Sequence, residues 1–273
     1  MPELPEVETV RRTLKNLIIN CEIASIDVYY TKIIKDITIT SFIKRLVGKT
    51  ILDIKRDGKY LIFILDDVAL ISHLRMEGKY FIKDKTERVE KHEHIIFNFT
   101  NGLSMRYHDV RKFGTMNLRN IDEIYSTYPL KELGLEPFDK RMTVDYLKGK
   151  LQNKEVAIKT CLLNQHIFAG LGNIYVDEVL FLCRLNPQLK ASKLKETDYE
   201  NIINNAVSVL TKAIELGGTT IRSYTSSLGV TGRFQNELNV HMKKGEHCPV
   251  CNSIIEKIRV NGRGTYYCPN CQK

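Results

Sequence analysis

Four cysteines near the carboxyl end form two C-x-x-C knuckles, Cys248-Pro249-Val250-Cys251 and Cys268-Pro269-Asn270-Cys271, separated by sixteen residues. A β-hairpin bridges such a gap, so the thiolates can converge tetrahedrally on one Zn2+. With all four positions taken by protein, no water can be activated, and the expected ion, one per chain, is structural. A redox role would need one exposed C-x-x-C rather than two matched ones. His247, beside Cys248, is set aside as a ligand because four thiolates already suffice. Between the knuckles stand Lys257, Arg259 and Arg263, the last in a Gly-Arg-Gly context that lets backbone approach a phosphate or groove closely. Alone, the tail reads equally as a nucleic-acid contact and as a folding staple.

At the other end the chain starts Met1-Pro2-Glu3-Leu4-Pro5-Glu6. A small second residue favours removal of Met1, which would expose the secondary amine of Pro2. An α-amino group titrates at about 7.7–8.0, so part of it is neutral and nucleophilic near pH 7. Such an amine can attack a masked sugar aldehyde and give a cationic iminium, an electron sink that acidifies the adjacent carbon. Glu3 and Glu6 could supply proton transfer. The same residues also read as an ordinary helix entry, with Pro and acids in a first turn.

The chain has 273 residues, enough for two domains and a small tail. Its 41 Lys and Arg against 32 Asp and Glu give a net charge of +9, an excess that favours a polyanionic partner while also being common among soluble proteins. No apolar run reaches the roughly 18 residues of a membrane span, and no signal-peptide pattern opens the chain. A soluble, intracellular protein without membrane contacts is expected. Cys21, Cys161 and Cys183 lie scattered in apolar surroundings and read as inert core residues rather than a disulfide framework.

To about residue 125 the pattern is of strands, with hairpins expected at Asp57-Gly58 (which places Lys59 at a tip), Glu77-Gly78 and Asn101-Gly102. Only the start departs, with Val7, Val10, Leu14 and Leu17 at helical spacing. Pro129, Gly134 and Pro137 mark a linker. Helices are then expected from Thr143 to about Leu151, over VAIKTCLLNQ, and over IYVDEVLFLCRL, the last two joined by a double turn through Ala169-Gly170-Leu171-Gly172-Asn173. A fourth helix is expected from Thr197, with a capping box to Glu200, to Leu216 before Gly217-Gly218. Residues 217–234, rich in Gly, Ser and Thr, read as a mobile loop.

Read in order, MPELPEVETVRR, Lys59 at its hairpin, HLRMEGKY, RYHDVRKFGTM, AGLGNIYVDEVLF, GGTTIRSY and GRGTYYCPNCQK resemble formamidopyrimidine-DNA glycosylase along the whole chain. The resemblance implies an α+β, multidomain fold: a β-sandwich catalytic domain with a leading helix (1–130), a helix-two-turns-helix DNA-binding domain (131–235) and a C-terminal four-cysteine zinc finger (236–273). It implies a monomeric, cytoplasmic bacterial enzyme of base excision repair, bound to duplex DNA that carries oxidised purines or abasic sites. That enzyme would be a glycosylase and AP lyase working by β,δ-elimination. Pro2 would then be the nucleophile at C1′, Glu3 a proton donor, Lys59 the proton donor for β-elimination, Arg263 the aid to δ-elimination or the phosphate holder, and Glu6 the group that orients the site. Met76, Arg111 and Phe113 match the residues that fill the void left by a flipped nucleotide, a task suited to two apolar wedges and one hydrogen-bond donor. Asn173, His92 and Lys154 correspond to further DNA contacts. Residues 219–224, ending in Tyr224, correspond to the loop that closes over the flipped base.

One stretch departs from the family pattern: Val240-His241-Met242-Lys243 stands where Val-Tyr-Gly-Arg is common. Lys243 keeps the charge and loses the planar fork. Two other readings compete, a glycosylase of the endonuclease VIII type for oxidised pyrimidines and a non-catalytic zinc-ribbon protein; the triad Met76, Arg111 and Phe113 argues against the first.

Overall fold

The structure is a computed structural model that describes residues 1–219 and 232–273. They form two compact units, Met1–Glu132 with Gly217–Gly232, and Leu133–Leu216 with Arg233–Lys273.

The first unit is a β-sandwich led by helix α1 (Leu4–Ile18), whose Val7, Val10, Leu14 and Ile18 are buried. Leu17, expected on that stripe, is only partly buried, because the helical period carries the buried face on to Ile18. Next come β1 (Ile23–Val28), β2 (Ile34–Lys35), helix α2 (Ile39–Leu46), β3 (Ile51–Asp57), β4 (Tyr60–Leu65), β5 (Val68–His73), β6 (Lys79–Asp84), β7 (Glu93–Phe99), β8 (Leu103–His108) and β9 (Thr115–Asn120). One sheet runs β1-β7-β8-β6 and the other β2-β9-β5-β4-β3, with one apolar core drawn from both.

Two local readings need correction. Helix α2 was not foreseen, since its β-branched start resembles a strand; Thr38 caps it by accepting the N–H of Ser41, and Phe42 and Leu46 bury one face. The segment around Glu77-Gly78 is not a hairpin. β5 pairs with β4 and β9 while β6 pairs with β8, so residues 74–78 cross from one sheet to the other. The hairpins β3–β4 and β7–β8 form as expected, the first with Asp57 opposite Tyr60 and Gly58 at φ +53°.

The second unit holds α3 (Val144–Leu151), α4 (Ile158–Leu162), α5 (Asn173–Leu182), α6 (Glu196–Glu215) and the hairpin β10 (Glu256–Val260) and β11 (Arg263–Tyr267). Thr143 caps α3 through Tyr146 N–H. The double turn between α4 and α5 is stapled by Gln165, which accepts the N–H of Gly170 and donates to the carbonyls of Leu163 and Leu171. Helix α6 begins one residue earlier than expected, and the carboxylate reaching back is Asp198, on Lys195 N–H, rather than Glu200. Phe181 of α5 packs with Val240, Ile255, Cys248 and Cys268, so the cysteine tail shares apolar core with the helices. Gln272 donates to Leu185 O and fixes the chain end to the same unit.

Candidate functional site

Pro2 is buried immediately before Glu3, the N-cap of α1, while Met1 is 46% exposed. Glu6 holds this entry in place: its Oε2 accepts the N–H of Glu3 at 2.8 Å. Its Oε1 accepts the N–H of Thr219 at 2.8 Å and the Thr219 hydroxyl at 3.1 Å. Glu3, Glu6 and Thr219 are all buried. Of the expected loop, Gly217, Gly218 and Thr219 are described, both glycines with positive φ. Thr220, Ile221, Arg222, Ser223 and Tyr224 lie outside the described residues.

Lys59 follows Gly58 at the β3–β4 tip and is only 4% exposed. The tip is tied back to α1 by residues that the sequence reading passed over. Arg56 donates to Gly58 O at 2.9 Å and to Glu8 at 3.3 Å. Glu8 also binds Arg11 and Arg12, and although burial alone would raise its pKa, the guanidinium groups of Arg11, Arg12 and Arg56 hold it down at about 2. The spacing of Glu8 to Arg11 and Arg12, three and four residues along a helix, was the available signal.

Met76 lies in the crossing segment and Arg111 and Phe113 in the turn after β8, where the Arg111 guanidinium sits 4.8 Å from the exposed Phe113 ring. Buried Asp109 organises that turn by accepting from Arg111 N–H at 3.0 Å and Gly114 N–H at 2.9 Å. The Tyr107 hydroxyl donates to the same carboxylate at 3.3 Å. That hydroxyl is also where both turns meet. A Cβ on Gly114 would lie 1.6 Å from it and a Cβ on Gly78 2.4 Å, so each position admits only glycine without displacement. Neither Tyr107 nor Asp109 was singled out in the sequence, although each lies inside RYHDVRKFGT. His92, at φ +75°, ends a loop whose carbonyls at Asp84, Glu87 and Arg88 are gathered by the buried Arg106. Two strand histidines have local partners: His94 Nε2 pairs with Asp109 O, and His73 Nδ1 accepts Arg75 N–H.

In the second unit, Asn173 opens α5 but does not cap it; Gly172 is the N-cap, and the Asn173 amide donates to Gly264 O at 2.9 Å. Lys154 is exposed between α3 and α4. Arg263, also exposed, follows the Asn261-Gly262 turn, whose φ values of +44° and +76° suit a two-residue hairpin.

The four cysteine sulfurs lie within 4.8 Å of one another, with Cys248–Cys271 at 3.8 Å and Cys251–Cys268 at 3.4 Å. A tetrahedral site with Zn–S bonds of about 2.3 Å has edges of about 3.8 Å, so this donor set fits zinc. His247 stands outside the cluster, its Nδ1 against Asn252 O. No helix among the described residues is long and apolar enough to cross a membrane.

Comparison with known proteins agrees with this layout. Residues 1–116 match the formamidopyrimidine-DNA glycosylase N-terminal domain, 133–225 the H2TH domain of the same proteins, and 245–273 a zinc finger found in FPG and IleRS. The formamidopyrimidine-DNA glycosylase of Shouchella clausii is 48% identical over all of this chain and 99% of its own. A Lactococcus lactis Fpg variant, solved with Fapy-dG-containing DNA, superposes with a TM-score of 0.94 at 44% identity, covering all of both chains. The L. lactis Fpg solved with abasic-site DNA gives 0.93 at 44% identity, again over both whole chains. With three successive domains matched in order and full-length relatives near half identity, the chain belongs to the formamidopyrimidine-DNA glycosylase family.

Proposed function

We propose that this DNA glycosylase and AP lyase removes oxidised purines from duplex DNA through a covalent intermediate on Pro2. The observation that carries the reading is the buried carboxylate of Glu6, which fixes the Glu3 backbone and hence the position of Pro2. Once Met1 is removed, the Pro2 nitrogen bonds C1′ as the glycosidic C–N bond breaks and its electron pair leaves with the base, which takes a proton. The ammonium loses a proton, O4′ leaves with a proton from Glu3, and a C1′ iminium results. Loss of a C2′ proton sends an electron pair to break C3′–O3′, completing β-elimination. Lys59, buried at its hairpin tip, is the proton donor for this step, and Arg263 assists the second, δ-elimination at C5′–O5′.

Taking a nucleotide out of the stack costs a few kcal/mol and leaves a hole. That filling role is assigned to Met76, Arg111 and Phe113, with Arg111 donating to the orphaned base; support comes from the Arg111–Phe113 contact and from the two turns sharing Tyr107. His92 and Lys154 contact the DNA backbone, and Asn173, whose amide holds Gly264 O, acts through the finger hairpin. The zinc keeps the finger folded, so that Arg263 is held at the end of an ordered hairpin.

Borohydride trapping on duplexes containing 8-oxoguanine tests the reading. A covalent adduct is expected from the native chain and none from Pro2→Gly; an adduct that survives Pro2→Gly overturns the mechanism. Excision favouring thymine glycol over 8-oxoguanine would turn the substrate assignment to oxidised pyrimidines.

A further inference from the structure

Helix α5 carries two adjacent buried acids, Asp177 and Glu178, that face the polypeptide leading into the finger. Glu178 accepts the N–H groups of Asn239, Val240 and His241 at 2.8–3.0 Å. Asp177 divides its two oxygens. Oδ1 accepts Lys159 Nζ at 2.6 Å, while Oδ2 accepts the Tyr266 N–H at 3.2 Å and His241 Nδ1 at 2.7 Å. A carboxylate only accepts, so His241 carries a proton on Nδ1. Its ring also meets Tyr266 edge-on at 5.0 Å.

These contacts converge on the strand that starts at Arg263. Lys159 Nζ donates to Gly264 O at 3.3 Å and Asn173 to the same oxygen at 2.9 Å. Two residues further, Asp177 holds the backbone of Tyr266. The peptide just after Arg263 is thereby held at two points, and His241 completes the acceptor that makes the second. A fully buried ion pair adds little net stability compared with apolar residues of the same size. What Lys159 and Asp177 supply is a defined geometry.

We infer that Asp177 and His241 are positioning residues for Arg263, setting the hairpin end from which its guanidinium reaches DNA. The inference rests on the proposed role of Arg263 in δ-elimination and phosphate binding.

The test uses the full-length zinc-loaded protein on an abasic-site duplex, with Asp177→Asn, His241→Phe, His241→Asn and Arg263→Gln. Four quantities are read: the ratio of δ- to β-elimination products, the salt dependence of duplex affinity, zinc per chain and thermal midpoint. Losing one charge-assisted anchor should lower the product ratio about tenfold in Asp177→Asn and His241→Phe. The slope of log affinity against log salt should fall by about one phosphate's worth. His241→Asn, which keeps a donor near the Nδ1 position, should recover both, and zinc should remain at one per chain. Unchanged ratio and slope in zinc-replete Asp177→Asn and His241→Phe overturn the inference, as does loss of zinc together with the ratio. Should Asp177→Asn fail to fold, the two His241 variants decide. If Arg263→Gln itself leaves ratio and slope unaltered, the role given to Arg263 fails first and takes the inference with it; if only the other variants are silent, the inference alone falls.

Discussion

Glu6 and Thr219 stand 213 positions apart in sequence and meet in a buried 2.8 Å hydrogen bond from the Thr219 N–H. Gly218 is pressed so close that a Cβ there would lie 2.7 Å from Glu6 Oε1. One carboxylate therefore fixes both the backbone beside Pro2 and the start of the 217–234 segment.

Glu6→Gln keeps the shape but replaces an acceptor with a donor that faces N–H groups. Hydrogen bonds to a charged group contribute about 1.5–3 kcal/mol. Excision of 8-oxoguanine in single-turnover assays should fall roughly 10- to 100-fold, with borohydride trapping falling in parallel. A rate within about twofold of the native chain would mean that this anchor does not position Pro2.

Gly114→Ala should destabilise the first unit by about 1–3 kcal/mol, because the added methyl overlaps the Tyr107 hydroxyl. Affinity for lesion duplex should fall with it as the Phe113 turn is displaced. Tyr107→Phe in the same chain should restore part of both, which thermal unfolding and a duplex titration would reveal. A Gly114→Ala protein that melts like its parent would show that the turn has room to spare.

The cysteine cluster was legible because metal ligation imposes both residue type and spacing, and the sandwich because its strands alternate between turn signals. The role proposed for Pro2 has no signal in its own neighbourhood, where Pro and Glu read equally as a helix entry; it rests on the resemblance of the motifs read in order. What stayed hidden depends on distant contacts. Glu8 looks like an ordinary polar residue until the fold brings Arg56 to it, and Tyr107 until Gly78 comes against its hydroxyl, whereas Asp109 gathers donors from its own turn. The β5–β6 crossing was misread because Glu77-Gly78 carries a local turn signal whichever sheet the next strand joins. The commitment of the Asn173 amide to Gly264, in the finger hairpin, has no signal in the sequence around it.

His73 predicts an acid-sensitive fold. Burial, followed by the charges of Arg75 and Lys59, pushes its pKa from 6.5 down to about 3. Between those values the unfolded chain holds a proton that the folded chain refuses, so this stability is complete above pH 6.5 and is lost as pH falls toward 3. The slope is at most about 1.4 kcal/mol per pH unit. His73→Gln, which keeps an acceptor for Arg75 N–H, should flatten the denaturant midpoint between about pH 7 and about pH 5. Parallel curves for the two proteins would contradict the assignment.

Met242 sits at φ +65° and is 52% exposed. Left-handed backbone costs a non-glycine residue about 1–2 kcal/mol, partly offset by the entropy that glycine loses on folding. Met242→Gly should therefore raise stability by about 0.5–1 kcal/mol, with no change in zinc content. A lower melting temperature would count against strain at this residue.

Stripping the zinc with a chelator should unfold the finger and abolish duplex binding, while the Pro2 amine remains chemically intact. A zinc-free protein that still bound lesion duplex would show that the finger is dispensable for the grip.

The Tyr107 hydroxyl stands against Gly78 on one side and Gly114 on the other. The segment bearing Met76 and the turn bearing Phe113 thus share a single pivot, and neither can swing without pushing on the same oxygen. A shift of either segment is therefore passed to the support of the other.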